Sequence, residues 1–199
     1  MNSTQQLAEH VQKQFPQWVI ATHAWRGDQT VILQREGLRE VCQYLRDDPA
    51  MAFHLLVDLT VVDLCTMGTA QLGDAFRPMP AVDPSITWTH FTEETEGPRN
   101  LWGEPSPRFE VVYHLYSLAH RHRLRLKVPI EASDPCAHSV TSIWTGANWF
   151  EREAWDMFGI IFTGHPHLKR ILMYEEFQGH PLRKDYPVNK RQPLVGPVN

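Results

Sequence analysis

The sequence predicts an α/β (α+β) fold of two layers, in which helices pack on a mixed β-sheet and an extended arm follows. Apolar runs of strand length alternate with segments whose apolar residues recur at helical spacing. The chain has 199 residues, enough for one domain with a substantial core. Residues 182–199 show neither period and contain three prolines, so we assign the domain to residues 1–181 and the arm to 182–199.

Composition argues against several classes of protein. The formal net charge of −4 is not that of a general nucleic-acid-binding protein. No run reaches the roughly 18 apolar residues of a membrane span, and the N-terminus lacks the pattern of a signal peptide. Cys42, Cys65 and Cys136 are far apart, which argues against an iron–sulfur cluster and favours reduced thiols. We therefore expect a chain that stays inside the cell and does not cross a membrane by itself.

The N-terminal part predicts two helices around two strands. Apolar residues at helical spacing indicate a helix over Ser3–Gln14, which Pro16 ends. Trp18–Trp25 and Gln29–Gln34 are predicted strands on either side of a tight turn. A second amphipathic helix is predicted over about Gly37–Arg46.

The next element is a compact apolar run, Phe53–Val57, which predicts an inner strand. Asp58 and Asp63 follow it. Two carboxylates near a strand end are compatible with catalysis or a metal site, and equally with turn capping or pairing to a partner's cations. No third carboxylate is clustered with them, which argues against the metal site.

Residues 65–107 differ in composition from the rest of the chain. They contain six of the 15 prolines, four glycines, six acidic residues and two basic ones. Such a stretch buries little apolar surface, so we predict a Pro/Gly-rich acidic insertion. Trp88, Phe91 and Trp102 are unusual in a plain linker and are candidate anchors to this chain or to a neighbour.

Phe109–Leu118 and Leu124–Ile130 predict the clearest β-hairpin. In the second strand three apolar residues alternate with three basic ones, Arg123, Arg125 and Lys127. The alternation predicts one buried and one basic face. The basic face is either solvated beside acidic neighbours or docks on an acidic partner surface.

The stretch after the hairpin predicts a short helix from Ser139 to Trp144 and a longer one over Trp149–Phe158. Asn148 is the predicted N-cap, Glu151 is placed to complete a capping box, and Gly159 is the predicted left-handed residue after the helix. Glu151 also falls on the apolar side of this helix. The alternative to the capping box is therefore a buried ion pair, either within this chain or across a subunit boundary.

Charged residues occupy one arc of the longer helix. Arg152, Glu153 and Asp156 share this arc, and Arg152 and Asp156 have the i, i+4 spacing of an ion pair. We interpret the arc as a docking face for a partner protein.

A short strand is predicted at Ile160–Phe162. Two Gly-His-Pro turns follow it, at Gly164–Pro166 and Gly179–Pro181. Imidazoles and a carboxylate in this region form a candidate metal site: His165, His167 and His180 with Glu153 or Asp156. Such a site would activate water in a metal-dependent hydrolase. The spacing is looser than that of a His-Glu-x-x-His motif, and the sequence contains no Gly-rich phosphate loop or nucleophile elbow. These patterns favour a docking surface over chemistry in this chain.

A set of motifs rich in rare residue types runs from Phe53 to Pro187. They are Asp58–Thr60, Arg108–Tyr113, Arg123–Arg125, Ser139–Val140, Ala147–Trp149, Glu151–Glu153, Trp155–Asp156, Phe158–Ile160, Gly164–Pro166, Arg170–Leu172 and Gly179–Asp185. Together they resemble the 30-kilodalton subunit family, the C subunit of the proton-pumping NADH:quinone oxidoreductase, respiratory complex I. The insertion at 65–107 departs from the family pattern, whose members often have a shorter link there.

The resemblance implies a non-catalytic structural subunit in the peripheral arm of the complex, bracing the neighbouring D and B subunits and contacting the I subunit. In the family, the D and B subunits form the quinone site, and FMN and the iron–sulfur clusters lie in partner subunits. The resemblance therefore implies no cofactor, catalytic residue or metal in this chain, although NADH oxidation, quinone reduction and proton pumping occur in the complex. The implied location is peripheral, on the cytoplasmic side of the inner membrane, with membrane contact through the complex only.

The resemblance also selects candidate contact residues. In the family the C-terminal arm lies along the D subunit. The candidates for partner contacts are Arg152, Glu153, Asp156, His165, Arg170, His180, Arg183, Lys184, Asp185 and Tyr186. Related membrane-bound hydrogenases and dehydrogenases carry a similar module and are the alternative, but the unbroken motif Gly179–Pro187 favours the respiratory enzyme.

Overall fold

The structure is a computed structural model that describes residues 5–65 and 107–193. Most of the predicted insertion, with its candidate anchors Trp88, Phe91 and Trp102, lies outside the described residues, as do the last six residues of the arm. The helices are α1 (Gln5–Gln14), α2 (Leu38–Asp47, after a 3₁₀ turn at Arg35–Gly37) and α3 (Ala147–Phe158). The strands are β1 (Val19–Trp25), β2 (Asp28–Leu33), β3 (Leu55–Asp63), β4 (Phe109–Ser117), β5 (His122–Ile130), β6 (Cys136–His138) and β7 (Ile161–Thr163).

The larger sheet contains five strands in the order β1-β2-β5-β4-β3. β2 and β5 run parallel, whereas the other neighbouring strands run antiparallel. β6 and β7 form a separate parallel pair. The predicted hairpin is confirmed as β4 and β5, and the mixed sheet with its helices confirms the α+β class.

Strand β3 differs from the prediction in length and in position. It runs from Leu55 to Asp63, so Asp58 also lies within it. It lies at the edge of the sheet beside β4, so the prediction of an inner strand is wrong. Phe53, the first residue of the predicted strand, is fully buried before β3 begins. The apolar run therefore reflected burial of individual side chains on one face and not a central position in the sheet.

The core lies between the sheet and the helices. In α2 the buried residues Leu38, Val41, Cys42 and Leu45 recur at helical spacing, which explains why this segment forms a helix against the sheet. Burial of each large apolar side chain of this kind stabilises the fold by about 1.5–3 kcal/mol. None of the helices in the described ranges is long and apolar enough to span a membrane.

The alternation predicted for β5 is confirmed, because its apolar residues are buried and its basic residues lie on the opposite face. The basic residues have neighbours on the adjacent strand. Lys127 forms an ion pair with Glu110, with Nζ and Oε2 2.7 Å apart. The guanidinium of Arg123 lies over the ring of Tyr116, 5.4 Å from its centroid. These contacts favour a solvated face beside acidic neighbours over a free basic docking surface.

The short helix predicted from Ser139 to Trp144 is wrong. The structure has a single turn here, in which the amides of Ile143 and Trp144 both donate to the carbonyl of Val140. A segment this short gains too few hydrogen bonds to offset helix nucleation. The turn is instead fixed by tertiary contacts, since Trp144 is buried and its indole N–H donates to the Phe53 carbonyl at 3.0 Å.

Candidate partner-docking region

Helix α3 begins differently from the prediction. Its N-cap is Gly146, which has no side chain to accept a hydrogen bond from the helix. Asn148 lies inside the helix, so the predicted capping box is wrong. The Glu151 carboxylate is fully buried, and its Oε1 accepts the amide of Val140 at 2.7 Å. Complete burial inside this chain also excludes an ion pair across a subunit boundary. Burial raises the pKa of Glu151 to about 7, because the charged form is poorly solvated there.

The C-terminus of α3 matches the prediction. Gly159 is in the left-handed conformation with φ of 76°, and its amide donates to the Trp155 carbonyl. A Cβ at this position would lie 2.5 Å from Arg183 Nη2 and 2.6 Å from His180 Nε2. Glycine is therefore required both for the turn and for the close approach of the C-terminal arm.

Asp156 anchors the chain that follows α3. Its carboxylate is fully buried, and Oδ2 accepts the amides of Ile171, Leu172 and Met173 at 2.9–3.0 Å. Its Oδ1 accepts a hydrogen bond from Arg170 Nη1 at 2.5 Å. Burial opposes ionisation, but the three amides and the guanidinium outweigh it, so the pKa of Asp156 is lowered.

Arg170 extends this anchor to the second Gly-His-Pro turn. Its Nη2 donates to the carbonyls of Phe177 at 2.9 Å and Gly179 at 3.1 Å. Its guanidinium also lies 5.6 Å from the ring centroids of both Trp155 and Phe177. One arginine therefore holds residues 170–179, which have no regular secondary structure, against α3.

Arg152 does not pair with Asp156, so the predicted i, i+4 ion pair is wrong. Its Nε donates to the Lys169 carbonyl at 3.1 Å and its Nη2 to the Arg170 carbonyl at 2.9 Å. The guanidinium lies over the ring of Trp149, 5.5 Å from its centroid. Tertiary contacts with the following segment thus replace the local pair. They hold Trp149 in place although 63% of its surface is exposed.

The histidines are used within the chain. His165 Nδ1 accepts the amide of His167 at 3.0 Å, so the ring carries its proton on Nε2 and donates it to the Asn148 carbonyl at 3.2 Å. His180 Nδ1 donates to the Asp156 carbonyl at 3.0 Å. Burial lowers the pKa of both His165 and His180, which favours the neutral rings. Within residues 5–65 and 107–193, His, Cys, Asp and Glu side chains form no group of three or more that could hold a metal ion.

The C-terminal arm begins against this chain. Arg183 Nε donates to the Phe158 carbonyl at 2.5 Å, and the amide of Lys184 donates to Asp63 Oδ2 at 2.9 Å. Further along, the Tyr186 ring stacks on Phe177 with centroids 6.1 Å apart. We expected another protein to hold the arm, but its described residues are held by α3, by β3 and by residues 174–178 of this chain.

The predicted contact residues differ in exposure. Glu153, Lys184 and Asp185 are exposed, Asp156 is buried, and the others are half-buried: Arg152, His165, Arg170, His180, Arg183 and Tyr186. The buried Asp156 carboxylate cannot touch a partner directly, and it instead positions residues 171–173, whose amides it accepts.

Four exposed apolar residues of this region are not among the predicted contact residues. They are Trp149, Leu172, Leu182 and Val188, which are 63%, 58%, 54% and 99% exposed. Trp149 was identifiable from the sequence, because Trp is a common interface anchor and because it precedes Arg152 by three residues and so shares the charged arc of the helix. The other three lie outside regular elements, where no period indicates exposure. We call these four residues and Arg152 the docking surface.

Comparison with known proteins identifies the family. The family model described as "Respiratory-chain NADH dehydrogenase, 30 Kd subunit" matches residues 31–192. The C subunit of NADH-quinone oxidoreductase from Acidithiobacillus ferrooxidans is 41% identical over 99% of this chain and 79% of its own length. The same subunit from Roseiflexus castenholzii is 39% identical over 92% of this chain and 83% of its own.

Solved structures with similar folds agree with this. A trypsin-resistant fragment of Nqo5 is 26% identical, with a TM-score of 0.54, and covers 82% of this chain and 98% of the fragment. The membrane-bound sulfane sulfur reductase, an archaeal respiratory membrane complex, contains a chain with a TM-score of 0.59 but only 16% identity, over 94% of this chain and 88% of that one. The second likeness shows the fold alone, whereas the sequence matches confirm the resemblance to the 30-kilodalton subunit. The chain therefore belongs to the family of the respiratory-chain NADH dehydrogenase 30 Kd subunit, the C subunit of NADH-quinone oxidoreductase.

Proposed function

We propose that this chain is a non-catalytic structural subunit of the peripheral arm of NADH:quinone oxidoreductase, and that it braces the D and B subunits, with a contact to the I subunit. The observation that carries the proposal is the docking surface. Exposed apolar side chains stand on a backbone that is tightly held by buried polar contacts, as the Asp156–Arg170 pair illustrates.

Such a surface is suited to stable association. Large exposed apolar side chains are unfavourable in water, so a partner that covers them stabilises the assembly. Trp and Arg are the residue types that most often dominate binding energy at protein interfaces. Trp149 is held by the Arg152 guanidinium before any partner binds, so ordering this anchor costs little additional entropy on association.

The cysteines support the assignment of the iron–sulfur clusters to partner subunits. Cluster ligation requires thiolates. Burial raises the pKa of the fully buried Cys42 thiol. The hydrogen bond that Cys136 Sγ donates to Asp134 Oδ1 raises the pKa of Cys136. In the proposed assembly, electrons pass from NADH to quinone through partner subunits while this chain holds them in register. It lies on the cytoplasmic side of the inner membrane and touches the membrane through the complex only.

The test is affinity purification of the tagged chain from its own membranes in mild detergent, with analysis of metal and flavin. We expect the D and B subunits to copurify, with iron and flavin present in proportion to the partner subunits. A lone protein that carries a stoichiometric metal ion would contradict the proposal and revive His165, His167 and His180 as ligands.

A further inference from the structure

A buried carboxylate joins three distant parts of the chain. Asp63 is at the end of β3, and its side chain is only 1% exposed. Oδ1 accepts the amide of Cys65 at 3.0 Å, and Oδ2 accepts the amide of Lys184 at 2.9 Å. Arg108, just before β4, donates to the same carboxylate from Nε at 3.3 Å and from Nη2 at 3.2 Å. Both oxygens of Asp63 are therefore used, and one of them holds the backbone of the C-terminal arm.

The same arginine holds the arm a second time. Arg108 Nη2 lies 2.6 Å from Oδ1 of Asp185, the residue after Lys184. The hydrogen bond from Arg108 lowers the pKa of Asp185. The Arg108 side chain is 19% exposed, so solvent screens its ion pairs less than those of a fully exposed arginine. We call Asp63, Arg108 and Asp185 the arm clasp.

An aromatic ring completes the arrangement. The Arg108 and Arg183 guanidiniums lie 4.8 and 5.3 Å from the centroid of the Phe109 ring. The two guanidiniums balance the carboxylates of Asp63 and Asp185, so these four side chains form a cluster with no net charge. A neutral, half-buried cluster of this kind favours one geometry, because removing any one charge leaves the others unbalanced.

We infer that Asp63 and Arg108 are positioning residues that fix the C-terminal arm in its docking conformation before a partner binds. This inference rests on the proposed function, in which the arm contacts a neighbouring subunit. An arm that is already ordered loses less conformational entropy on association, and so binds more tightly for the same contacts.

The arm clasp also defines the chemistry of the partner surface. Within the arm, Asp185 is paired with Arg108. Arg183 lies over the Phe109 ring and donates to the Phe158 carbonyl. Over the described part of the arm, the ammonium of Lys184 and the guanidinium of Arg191 are exposed and have no side-chain partner, and Val188 is 99% exposed. The partner surface under the arm is therefore acidic beside an apolar depression.

Limited trypsin digestion of the full-length chain tests the clasp, because trypsin cleaves after Lys184. The variants are Asp63→Asn, Arg108→Gln and Asp185→Asn. Asp134→Asn is the matched control, since it removes another arginine–aspartate pair, with 2.6 Å between Arg35 and Asp134. We expect Asp63→Asn and Arg108→Gln to speed cleavage after Lys184 by about tenfold, the effect of one lost charge-assisted hydrogen bond on local opening. The control should have no effect. For Asp185→Asn the measurement is hydrogen–deuterium exchange of the Lys184 amide, which should be faster than in the unchanged chain, because this substitution also changes the residue after the cleaved bond.

Two results would overturn the clasp. One is an unchanged cleavage rate after Lys184 in folded Asp63→Asn and Arg108→Gln proteins. The other is a uniform rise at every tryptic site with a lower melting temperature, which would make Asp63 a residue of the general fold. Exchange of the Lys184 amide in Asp185→Asn keeps the test valid if Asp63→Asn does not fold, because Asp185 is exposed.

Copurification separates failure of the clasp from failure of the proposed function. Lys184→Glu with Arg191→Glu should lower recovery of partner subunits at least fivefold, and added salt should lower recovery for the unchanged chain. Faster cleavage after Lys184 in Asp63→Asn and Arg108→Gln, together with undiminished recovery in Lys184→Glu with Arg191→Glu and in a chain lacking residues 182–199, would leave the clasp standing and contradict docking through the arm.

Discussion

The carboxylate of Asp156 and the guanidinium of Arg170 lie 2.5 Å apart, and together they bind five backbone groups of the segment after α3. A regular element and an irregular one are thereby joined through buried polar contacts. The sequence suggested that Asp156 faces a partner, but its burial makes it the support behind the docking surface. This relationship explains how a segment with little secondary structure presents a fixed shape.

We expect Asp156→Ala to lower the free energy of unfolding by about 3–5 kcal/mol, because it leaves Arg170 and three amides without their partner. Urea unfolding at neutral pH measures this. The control is Glu153→Ala on the same helix. Loss of this exposed side chain should change the free energy of unfolding by no more than about 0.5 kcal/mol. Equal, small losses in both variants would show that the pair does not hold the segment.

The buried Glu151 predicts a pH dependence of stability. Its pKa rises from 4.5 to about 7 on folding, so the folded state keeps a proton that the unfolded chain has lost between these values. The contribution of Glu151 to the free energy of unfolding is therefore greatest below pH 4.5, falls as the pH rises towards 7, and then levels off. The groups around the carboxyl are the Val140 amide, Ser139, Tyr113 and Cys42.

The test of this pH dependence is Glu151→Gln, which keeps the shape and cannot ionise. We expect the variant to gain about 3 kcal/mol relative to the unchanged chain between the two pKa values. Urea unfolding across this pH range measures the difference. A difference that stays constant with pH would mean that Glu151 is not buried in its neutral form.

Gly159→Ala separates backbone strain from steric contact. Both Gly159 and Gly164 have positive φ, 76° and 86°, but only at Gly159 would a Cβ meet other atoms within 4 Å. We expect Gly164→Ala to cost about 1 kcal/mol, the strain of the left-handed conformation alone. Gly159→Ala should cost at least twice as much and should also raise the cleavage rate after Lys184. Equal costs would mean that Arg183 and His180 move aside freely.

Trp149→Ala tests the docking surface without disturbing the core. Because Trp149 is 63% exposed, we expect little change in melting temperature but an at least tenfold loss in recovery of partner subunits. Leu118→Ala is the control, since Leu118 is 64% exposed at the β4–β5 turn. Equal recovery with both variants would remove Trp149 from the interface.

Patterns along the chain predicted local elements well. The β4–β5 hairpin was predictable because apolar and basic residues alternate in its second strand, and the end of α3 because Gly159 can adopt positive φ. The edge position of β3 was not predictable, since it depends on the parallel pairing of β2 with β5.

Side-chain partners were predicted less well, because the true partners are far apart in sequence. Local spacing suggested Asn148 for Glu151 and Asp156 for Arg152, yet tertiary contacts with Val140 and Lys169 replaced both. The contact that ties the arm to Asp63 spans 121 positions to Lys184, and no period in the sequence signals it.

The most direct test of the central claim is photo-cross-linking in the intact complex, isolated from its own membranes. A photoreactive amino acid is placed at Trp149, at Val188 or, as a control, at Leu118. We predict that Trp149 and Val188 label the D or B subunit and that Leu118 gives much weaker labelling of either. Labelling of neither subunit from Trp149 and Val188, in a complex that contains both, would contradict the proposal that this surface braces them.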